Sequence, residues 1–454
     1  SGAEIEPGTL CSSALVANIG TNSTSINKPW FTFTASTDAL FNLSTVNTTN
    51  VDTRVQVYEN CSGKLIAWGD DESGLQTDID ILLFEGQTIH LKWENLSGNE
   101  NFDWEISSSP IAPSAEVDSL ALVQLYTQTN GDYWIENDNW LSDKPLDQWW
   151  GIGTDNNGRV IQIDLFNESI EPYQGNNLFG ELPVSLKYLT ELEYLNVNRS
   201  NLSGILPNDL EALTKLEYFD VTLNNFYGPF PQWILNAKKL ATLALGGNDL
   251  TGELPNDINK LSNLNSIFLW GNQLSGNIPS TIGEIENLRL ISASRNNFNG
   301  TLPESIGNLN NLERLFLSSN QLEGDIPLSF QQLTSIELMG LDFNNLTSLP
   351  DLSGITSWQS SNSLYIGENN LTFEEILPNI SINNINYAPQ DEVQIIENAQ
   401  IRKGENHTLV LGMDKEITSN IYKWYKDGSL FAESNTDSLQ LINVSEQQHE
   451  GVYF

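Results

Sequence analysis

Residues that commonly carry catalysis are few in this chain and far apart. The three histidines, His90, His407 and His449, are widely separated, and none belongs to an HExxH or CxxC pattern. The sequence contains no GxSxG segment, no phosphate-binding loop and no Cys-His pair. With 59 acidic residues, paired carboxylates are too common to indicate a glycosidase. We therefore predict no enzymatic activity and no organic cofactor.

A second set of residues has the chemistry of recognition. Aromatic rings and arginines dominate binding hot spots, because rings bury large surfaces and guanidinium groups bind carboxylates through paired hydrogen bonds. Residues of these two kinds recur through the middle of the chain, and we predict that they bind a ligand. They are Tyr194, Arg199, Tyr218, Phe268, Trp270, Arg295, Arg314 and Phe316.

A 24-residue segment, repeated six times between Leu192 and Pro327, positions these side chains. Each copy follows the pattern LxxLxLxxNxLxGxIP, and the copies begin at Leu192, Leu216, Leu240, Leu264, Leu288 and Leu312. Such a period is typical of a solenoid, in which short strands bury apolar residues by stacking on their neighbours. The leucines are predicted to be core, and the asparagines to bond the backbone of adjacent coils.

The repeat resembles the plant-specific class of leucine-rich repeats, which is also found in secreted bacterial proteins. The resemblance covers about residues 117–371. It implies a right-handed solenoid with a parallel sheet on its concave face, and a function in binding. Weaker copies at both ends raise the expected number of strands to nine. Ten residues of the first coil, FNESIEPYQG, are predicted to form a loop beside the concave face.

The side chains between the leucines are predicted to point out of the concave surface, because alternate strand residues face opposite sides. The small residues of segment 242–247 predict a trough, and Phe268 and Trp270 predict a ridge beside it. Exposed aromatic side chains favour a ligand surface. The alternative is a solvent-exposed sheet whose aromatic side chains cover one another.

Composition limits the partners. The 454 residues suggest about three domains, and a net charge of -39 argues against nucleic acid or an anionic membrane as ligand. No apolar run is long enough to span a membrane. The chain begins Ser-Gly-Ala without methionine, so we expect that a signal or tag preceded it. The two cysteines, Cys11 and Cys61, predict one disulfide and an oxidising compartment.

Residues 1–108 alternate apolar with polar residues, as in WFTFTAS and TIHLKW, and predict a β-sandwich. They resemble jelly-roll domains attached to secreted bacterial peptidases and adhesins. Some domains of that kind bind calcium, and the resemblance suggests Asp52, Asp70 and Asp71 as its oxygen ligands. A solvated acidic turn is the alternative, because the spacing follows no calcium-loop pattern.

Residues 109–116 are predicted to be a linker, and residues 117–159 a cap on the solenoid. The cap contains Trp134, Trp140, Trp149 and Trp150, and it resembles the amino-terminal cap of bacterial repeats. A cluster of tryptophans also suits sugar binding, but the open apolar end of a solenoid needs a cover. We therefore favour capping.

The solenoid is predicted to extend over residues 160–387. Residues 388–454 resemble part of an immunoglobulin-like domain, with Trp424 as its core tryptophan and Tyr453 as its corner tyrosine. The chain ends before the last strand of such a domain.

These features predict a secreted, non-enzymatic recognition or adhesion protein of a bacterial cell surface, with an extracellular protein or anionic polysaccharide as ligand. An accessory region of a larger secreted hydrolase is one alternative. A stalk of tandem modules is another.

Overall fold

A computed structural model describes residues 10–25, 27–61, 65–70, 75–98, 100–167, 175–358, 363–382, 385–388, 390, 406–410, 422–426, 429–434 and 438–441. The chain divides into two compact units, Ser1–Phe226 and Tyr227–Phe454. Within the described ranges, no helix has the length and apolar character needed to cross a membrane.

A β-sandwich opens the first unit. One sheet has the strand order β1-β3-β8-β5-β6 and the other has the order β2-β9-β4-β7. Alternate residues of both sheets enter one apolar core, which contains Phe41, Trp93 and Trp104. The strands are β1 (Leu15–Val16), β2 (Gly20–Thr24), β3 (Trp30–Thr34), β4 (Ala39–Ser44), β5 (Thr53–Tyr58), β6 (Leu65–Asp70), β7 (Asp78–Leu83), β8 (Thr88–Asn95) and β9 (Phe102–Ser109).

A disulfide links the segment before β1 to the turn after β5. It joins Cys11 to Cys61, whose Cα atoms lie 5.3 Å apart and which are separated by 50 residues. The bond therefore closes a long loop of the sandwich.

Helix α1 (Ala115–Gln128) begins the cap. The Ser114 hydroxyl accepts a 3.2 Å hydrogen bond from the amide of Val117 and so caps the helix. The segment after the helix buries three tryptophans, Trp134, Trp140 and Trp149. The ring of Trp140 contacts the rings of both others. Rings packed in this way line the interior of the cap and are not presented to a sugar.

Repeat coils complete the first unit. Strands β10 and β11 form an antiparallel hairpin at Asn157-Gly158, where the φ of Gly158 is +76°. The order β10-β11-β13-β15 makes one sheet, and β12 pairs with β14 in another. The strands are β10 (Ile152–Thr154), β11 (Val160–Asp164), β12 (Phe179–Glu181), β13 (Tyr194–Asn196), β14 (Asn201–Ile205) and β15 (Tyr218–Asp220). Residues 168–174 of the predicted loop lie outside the described residues.

The second unit continues the alternation of strands. Its strands are β16 (Asn225–Pro229), β17 (Thr242–Ala244), β18 (Asp249–Glu253), β19 (Ser266–Phe268), β20 (Gln273–Asn277), β21 (Leu290–Ser292), β22 (Asn297–Gly300), β23 (Arg314–Phe316), β24 (Gln321–Asp325), β25 (Leu338–Gly340), β26 (Asn345–Ser348) and β27 (Leu364–Tyr365). The odd-numbered strands β17 to β27 form one parallel sheet, and the even-numbered strands β16 to β26 form another.

The second parallel sheet is a feature that the sequence analysis did not predict. Its strands contain the xLxG part of each copy, directly after the buried asparagine. Gly252 lies within β18 with φ +82°, and Gly276 lies within β20 with φ +74°. Each coil therefore pairs twice with its neighbours, once on each sheet.

Buried asparagines join successive coils, as predicted. Asn272 shows the pattern: its Nδ2 donates to the carbonyl oxygens of Leu245 and Leu269, both at 3.0 Å, and its Oδ1 accepts from the amide of Leu250 at 2.9 Å. One side chain thus satisfies backbone groups of two coils that the turn leaves without strand partners.

Four strands and a short helix complete the described part of the chain. They are α2 (Phe373–Ile376), β28 (His407–Val410), β29 (Tyr422–Lys426), β30 (Ser429–Ser434) and β31 (Ser438–Leu441). Strand β28 pairs with β31, and β29 pairs with β30, with Trp424 opposite Ala432. Tyr453 lies outside the described residues, so the immunoglobulin-like domain stays a prediction.

Candidate functional site

Two tyrosines stack on the parallel sheet of the first unit. Tyr194 of β13 and Tyr218 of β15 are paired in register, and their ring centroids lie 4.3 Å apart at an interplanar angle of 8°. Both side chains are half-buried. Strand register thus joins two of the predicted ligand residues into a single aromatic surface.

A buried carboxylate holds this surface in place. Asp220 accepts hydrogen bonds from the Tyr218 hydroxyl at 3.1 Å, from Asn198 Nδ2 at 3.0 Å and from the Thr222 hydroxyl at 2.7 Å. Burial, followed by the negative charge of Asp220, raises the pKa of Tyr218. The phenol therefore stays protonated and remains a hydrogen-bond donor. Asp220 was absent from our predicted site because the chain contains 59 acidic residues, and nothing in the sequence distinguishes this one from the others.

Two of the predicted arginines lie in turns after the strands. Arg199 has φ 50° and Arg295 has φ 57°, both in the left-handed region. Arg295 is exposed and Arg199 is half-buried. Their side chains start from the rim of the sheet.

In the second unit, the predicted trough is filled. A methyl group placed on Gly246 would lie only 2.6 Å from Nε1 of Trp270, so the indole packs directly over the backbone of Gly246. The trough and the ridge are therefore one feature, in which the absence of a side chain at Gly246 provides the seat for the ring of Trp270. The prediction of an open trough over 242–247 is wrong.

A slot lies beside this ring. Phe268, Ser292 and Phe316 stand opposite one another on three successive strands. Since neighbouring strands are about 4.8 Å apart, the backbone positions of the two phenylalanines lie about 10 Å apart, with the small serine between them. Phe316 is supported on its other side by Gly340, where an added methyl group would lie 3.4 Å from its ring.

Arg314 adds positive charge at this slot. It lies on β23 two residues before Phe316, so both side chains point to the same side of the sheet. Arg314 is exposed, and no described residue forms an ion pair with it. The predicted residues Phe268, Trp270, Arg314 and Phe316 thus form one group within the second unit, which we call the β19–β23 surface.

The proposed calcium ligands are only partly visible. Asp52 and Asp70 are described, whereas Asp71 lies outside the described residues. Within the described ranges, the only group of three metal-binding side chains is Cys11, Cys61 and His90, whose ligand atoms lie within 4.8 Å of one another. The two sulfur atoms of that group are bonded to each other. Calcium binding stays a prediction.

Comparison with known proteins concerns the repeat coils. A protein-family model, Leucine Rich Repeat, matches residues 191–213, 263–285, 287–309 and 311–333. These four segments are leucine-rich repeats. No curated protein matches the sequence.

Several solved leucine-rich-repeat structures are similar to this chain. One is the leucine-rich-repeat ectodomain of the receptor kinase GASSHO1/SCHENGEN3 from Arabidopsis thaliana, in complex with CASPARIAN STRIP INTEGRITY FACTOR 2. It is 28% identical with a TM-score of 0.50, and the match covers 60% of this chain and 35% of that one. A second is PEPR1-AtPEP1, with 28% identity and a TM-score of 0.47 over 56% of this chain and 35% of that one.

A third is the ectodomain of the Arabidopsis receptor kinase HAESA in complex with an extended IDA peptide hormone. It is 25% identical with a TM-score of 0.48 over 57% of this chain and 46% of that one. This chain therefore spans between about a third and a half of the length of these structures. The repeats are similar to those of the GASSHO1/SCHENGEN3 ectodomain, which agrees with the predicted plant-type class of repeat.

Proposed function

We propose that this chain is a secreted recognition protein of a bacterial cell surface that binds an acidic protein segment on the β19–β23 surface. The observation that supports the proposal most directly is the seating of Trp270 over Gly246. A large ring held on a flat glycine backbone leaves its outer face available. Such a preorganised aromatic side chain is a typical binding hot spot.

The slot supplies selectivity for shape. Phe268 and Phe316 are half-buried and flank Ser292, which leaves a gap that an aromatic or flat aliphatic side chain would fill. Stacking between rings adds about 0.5 to 1.5 kcal/mol to the burial of apolar area. The ligand is therefore expected to insert one flat side chain between the two phenylalanines.

The arginines supply selectivity for charge. Arg314 and Arg295 are exposed in a chain whose net charge is -39. They can bind a carboxylate through two hydrogen bonds, whereas the rest of the surface repels anions. An acidic group next to a flat side chain is the combination that suits this surface.

A protein ligand is favoured over a polysaccharide. The plant ectodomain of comparable fold was solved with CASPARIAN STRIP INTEGRITY FACTOR 2 bound, which supports a protein partner for these repeats. The slot between two rings also suits a single side chain better than a continuous row of sugars. The disulfide supports the extracellular location.

The experiment is to pan a random peptide library against the full chain and to test an array of acidic polysaccharides in parallel. We expect selected peptides to contain an aromatic residue beside acidic residues, and to lose affinity in the Trp270→Ala and Arg314→Ala variants. Leu328→Ala, at an exposed apolar residue of the same unit, is the matched control. Polysaccharide binding that depends on Trp270, without any peptide binding, would reject the protein-ligand proposal.

A further inference from the structure

The outward face of the five-stranded sheet in the sandwich carries an aligned row of side chains. The strand registers place Trp30 opposite Lys92, Lys92 opposite Gln56, and Gln56 opposite Trp68. The row crosses four strands, so the backbone positions of its two tryptophans lie about 14 Å apart. A row of this length is longer than a single sugar ring.

Trp68 is unusually exposed to solvent for a residue of its size. Its side chain is 62% exposed on the edge strand β6. At the other end of the row, Trp30 is held by Tyr58, with ring centroids 5.5 Å apart. Exposed tryptophans expose apolar area to water and indicate a surface that is covered in use. The row therefore has an aromatic ring at each end and polar groups between them.

The polar groups of this face are held in ion pairs. Glu94 accepts hydrogen bonds from the Arg54 guanidinium and from Lys92, the latter at 2.7 Å. Strand register also places Arg54 opposite Asp70. The positive charges are thus matched by carboxylates, so the face presents many donors and acceptors without net positive charge.

A recess opens beside the row. It has a volume of about 400 Å3 and is lined by Arg54, Lys92, Glu94, Thr24 and Trp93, among others. The recess reaches the buried residues Thr24 and Trp93, the latter a member of the apolar core behind the sheet. Thr24 is 3% exposed and Trp93 is 1% exposed. The polar groups that a ligand on the outward face can reach are therefore those of Arg54, Lys92 and Glu94.

We propose that this face of the sandwich binds a neutral polysaccharide, with sugar rings stacked on Trp68 and Trp30 and sugar hydroxyls bonded between them. Sugar rings have apolar faces that stack on aromatic rings, and their hydroxyl groups both donate and accept. Arg54, Lys92 and Glu94 supply the matching donors and acceptors. This is a second binding surface, independent of the leucine-rich repeats.

The charges of the chain and of this face argue against an acidic polysaccharide or a protein as the ligand. An acidic polysaccharide would meet a chain with a net charge of -39, and the cations of this face are already paired. The core of a protein interface is depleted of charged residues, because burying them costs solvation. Here Lys92 lies between the two tryptophans, together with Gln56. A flexible neutral chain rich in hydroxyl groups can leave those charges partly hydrated.

The test is affinity electrophoresis of the full chain in gels that contain mixed-linkage β-glucan, xyloglucan, galactomannan or dextran. We expect at least one of these polymers to retard the protein. Trp68→Ala should weaken the dissociation constant for that polymer at least about tenfold, as expected for an aromatic hot spot. Tyr133→Ala removes a ring that is 68% exposed elsewhere in the same unit, and it should leave retardation unchanged.

Two further measurements separate the proposal from its rivals. Because a neutral ligand has no charge to screen, the dissociation constant should be the same in about 50 mM and about 500 mM NaCl. Glu94→Gln should weaken binding, and Trp270→Ala in the leucine-rich repeats should not. The proposal is overturned if none of the four polymers retards the protein, if Trp68→Ala behaves like wild type, or if binding falls steeply with salt.

Discussion

Asp118 and Arg159 form a buried, two-pronged ion pair. Asp118 Oδ2 lies 2.8 Å from Arg159 Nε, and Asp118 Oδ1 lies 3.1 Å from Arg159 Nη2. The same carboxylate accepts a 2.9 Å hydrogen bond from the amide of Val160, the first residue of β11. The first turn of α1 is thereby fixed to the start of the first repeat strand, which sets the position of the cap on the solenoid.

Asp118→Asn should therefore destabilise the cap strongly. The substitution keeps the shape of the side chain but leaves the half-buried Arg159 without its counter-charge, which typically costs about 3 to 5 kcal/mol. Denaturant unfolding followed by tryptophan fluorescence measures the loss. Asp257→Asn breaks the exposed pair with Lys260 and serves as the control, with no resolvable change expected. Equal effects of the two substitutions would contradict this role for Asp118.

Lys187 joins the sandwich to the first repeats. Its ammonium group lies 2.9 Å from Asp38 Oδ2 and within 5.3 Å of the ring centroids of Phe84 and Tyr188. The two rings stack with centroids 6.2 Å apart. A hydrogen bond from the amide of Glu85 and the interaction with Lys187 lower the pKa of Asp38.

The lowered pKa of Asp38 gives a pH prediction. Its ionised form is favoured in the folded state, so its contribution to stability is present above the ordinary carboxyl pKa of about 4 and is lost as pH falls through the lower folded value. Asp38→Asn should lower the melting temperature at neutral pH, and the difference from wild type should shrink on acidification below about pH 4. Glu323→Gln, at an exposed residue, controls for the loss of one charge. A difference that grows on acidification would refute the assignment.

Reduction of the disulfide should destabilise the sandwich. In the chain-entropy model, a loop of 50 residues corresponds to a stabilisation of about 4 kcal/mol. The double variant Cys11→Ala, Cys61→Ala should show this loss in denaturant unfolding, while the leucine-rich repeats keep their own transition. An unchanged first transition would show that the bond adds nothing to stability.

Gly246→Ala tests the seat of Trp270. A methyl group at this position would lie 2.6 Å from Trp270 Nε1, so the ring has to move. We expect a changed near-ultraviolet circular dichroism signal and weaker binding of the selected peptide. Gly354→Ala is the control, because a methyl group there meets no atom within 4 Å. Identical spectra and affinities for the two variants would contradict the packing of Trp270 on Gly246.

The sequence predicted those features that one repeat determines by itself. The leucine core and the bonds of Asn272 follow from spacing and from the need of buried backbone groups for partners. Contacts between residues that are far apart in the sequence produce no repeating pattern from which they could be predicted. Lys187 and Asp38 are 149 positions apart, and Arg159 and Asp118 are 41 apart, so neither pair carries a local signal.

Side-chain direction limited the prediction of the candidate site. The sequence placed Gly246 and Trp270 on neighbouring coils, but whether the indole stands beside the glycine or lies over it depends on its rotamer. The row from Trp30 to Trp68 was hidden for a related reason. It is assembled from four strands whose pairing order, β3-β8-β5-β6, does not follow the chain.

The most direct test of the proposed function is the dissociation constant of the selected peptide for wild type and for Trp270→Ala, with folding checked by melting temperature. We predict a loss of about 2 kcal/mol, or about 30-fold, as is typical when an aromatic hot-spot residue is truncated to alanine. Leu328→Ala should bind like wild type. A folded Trp270→Ala protein that binds the peptide with wild-type affinity would contradict the account.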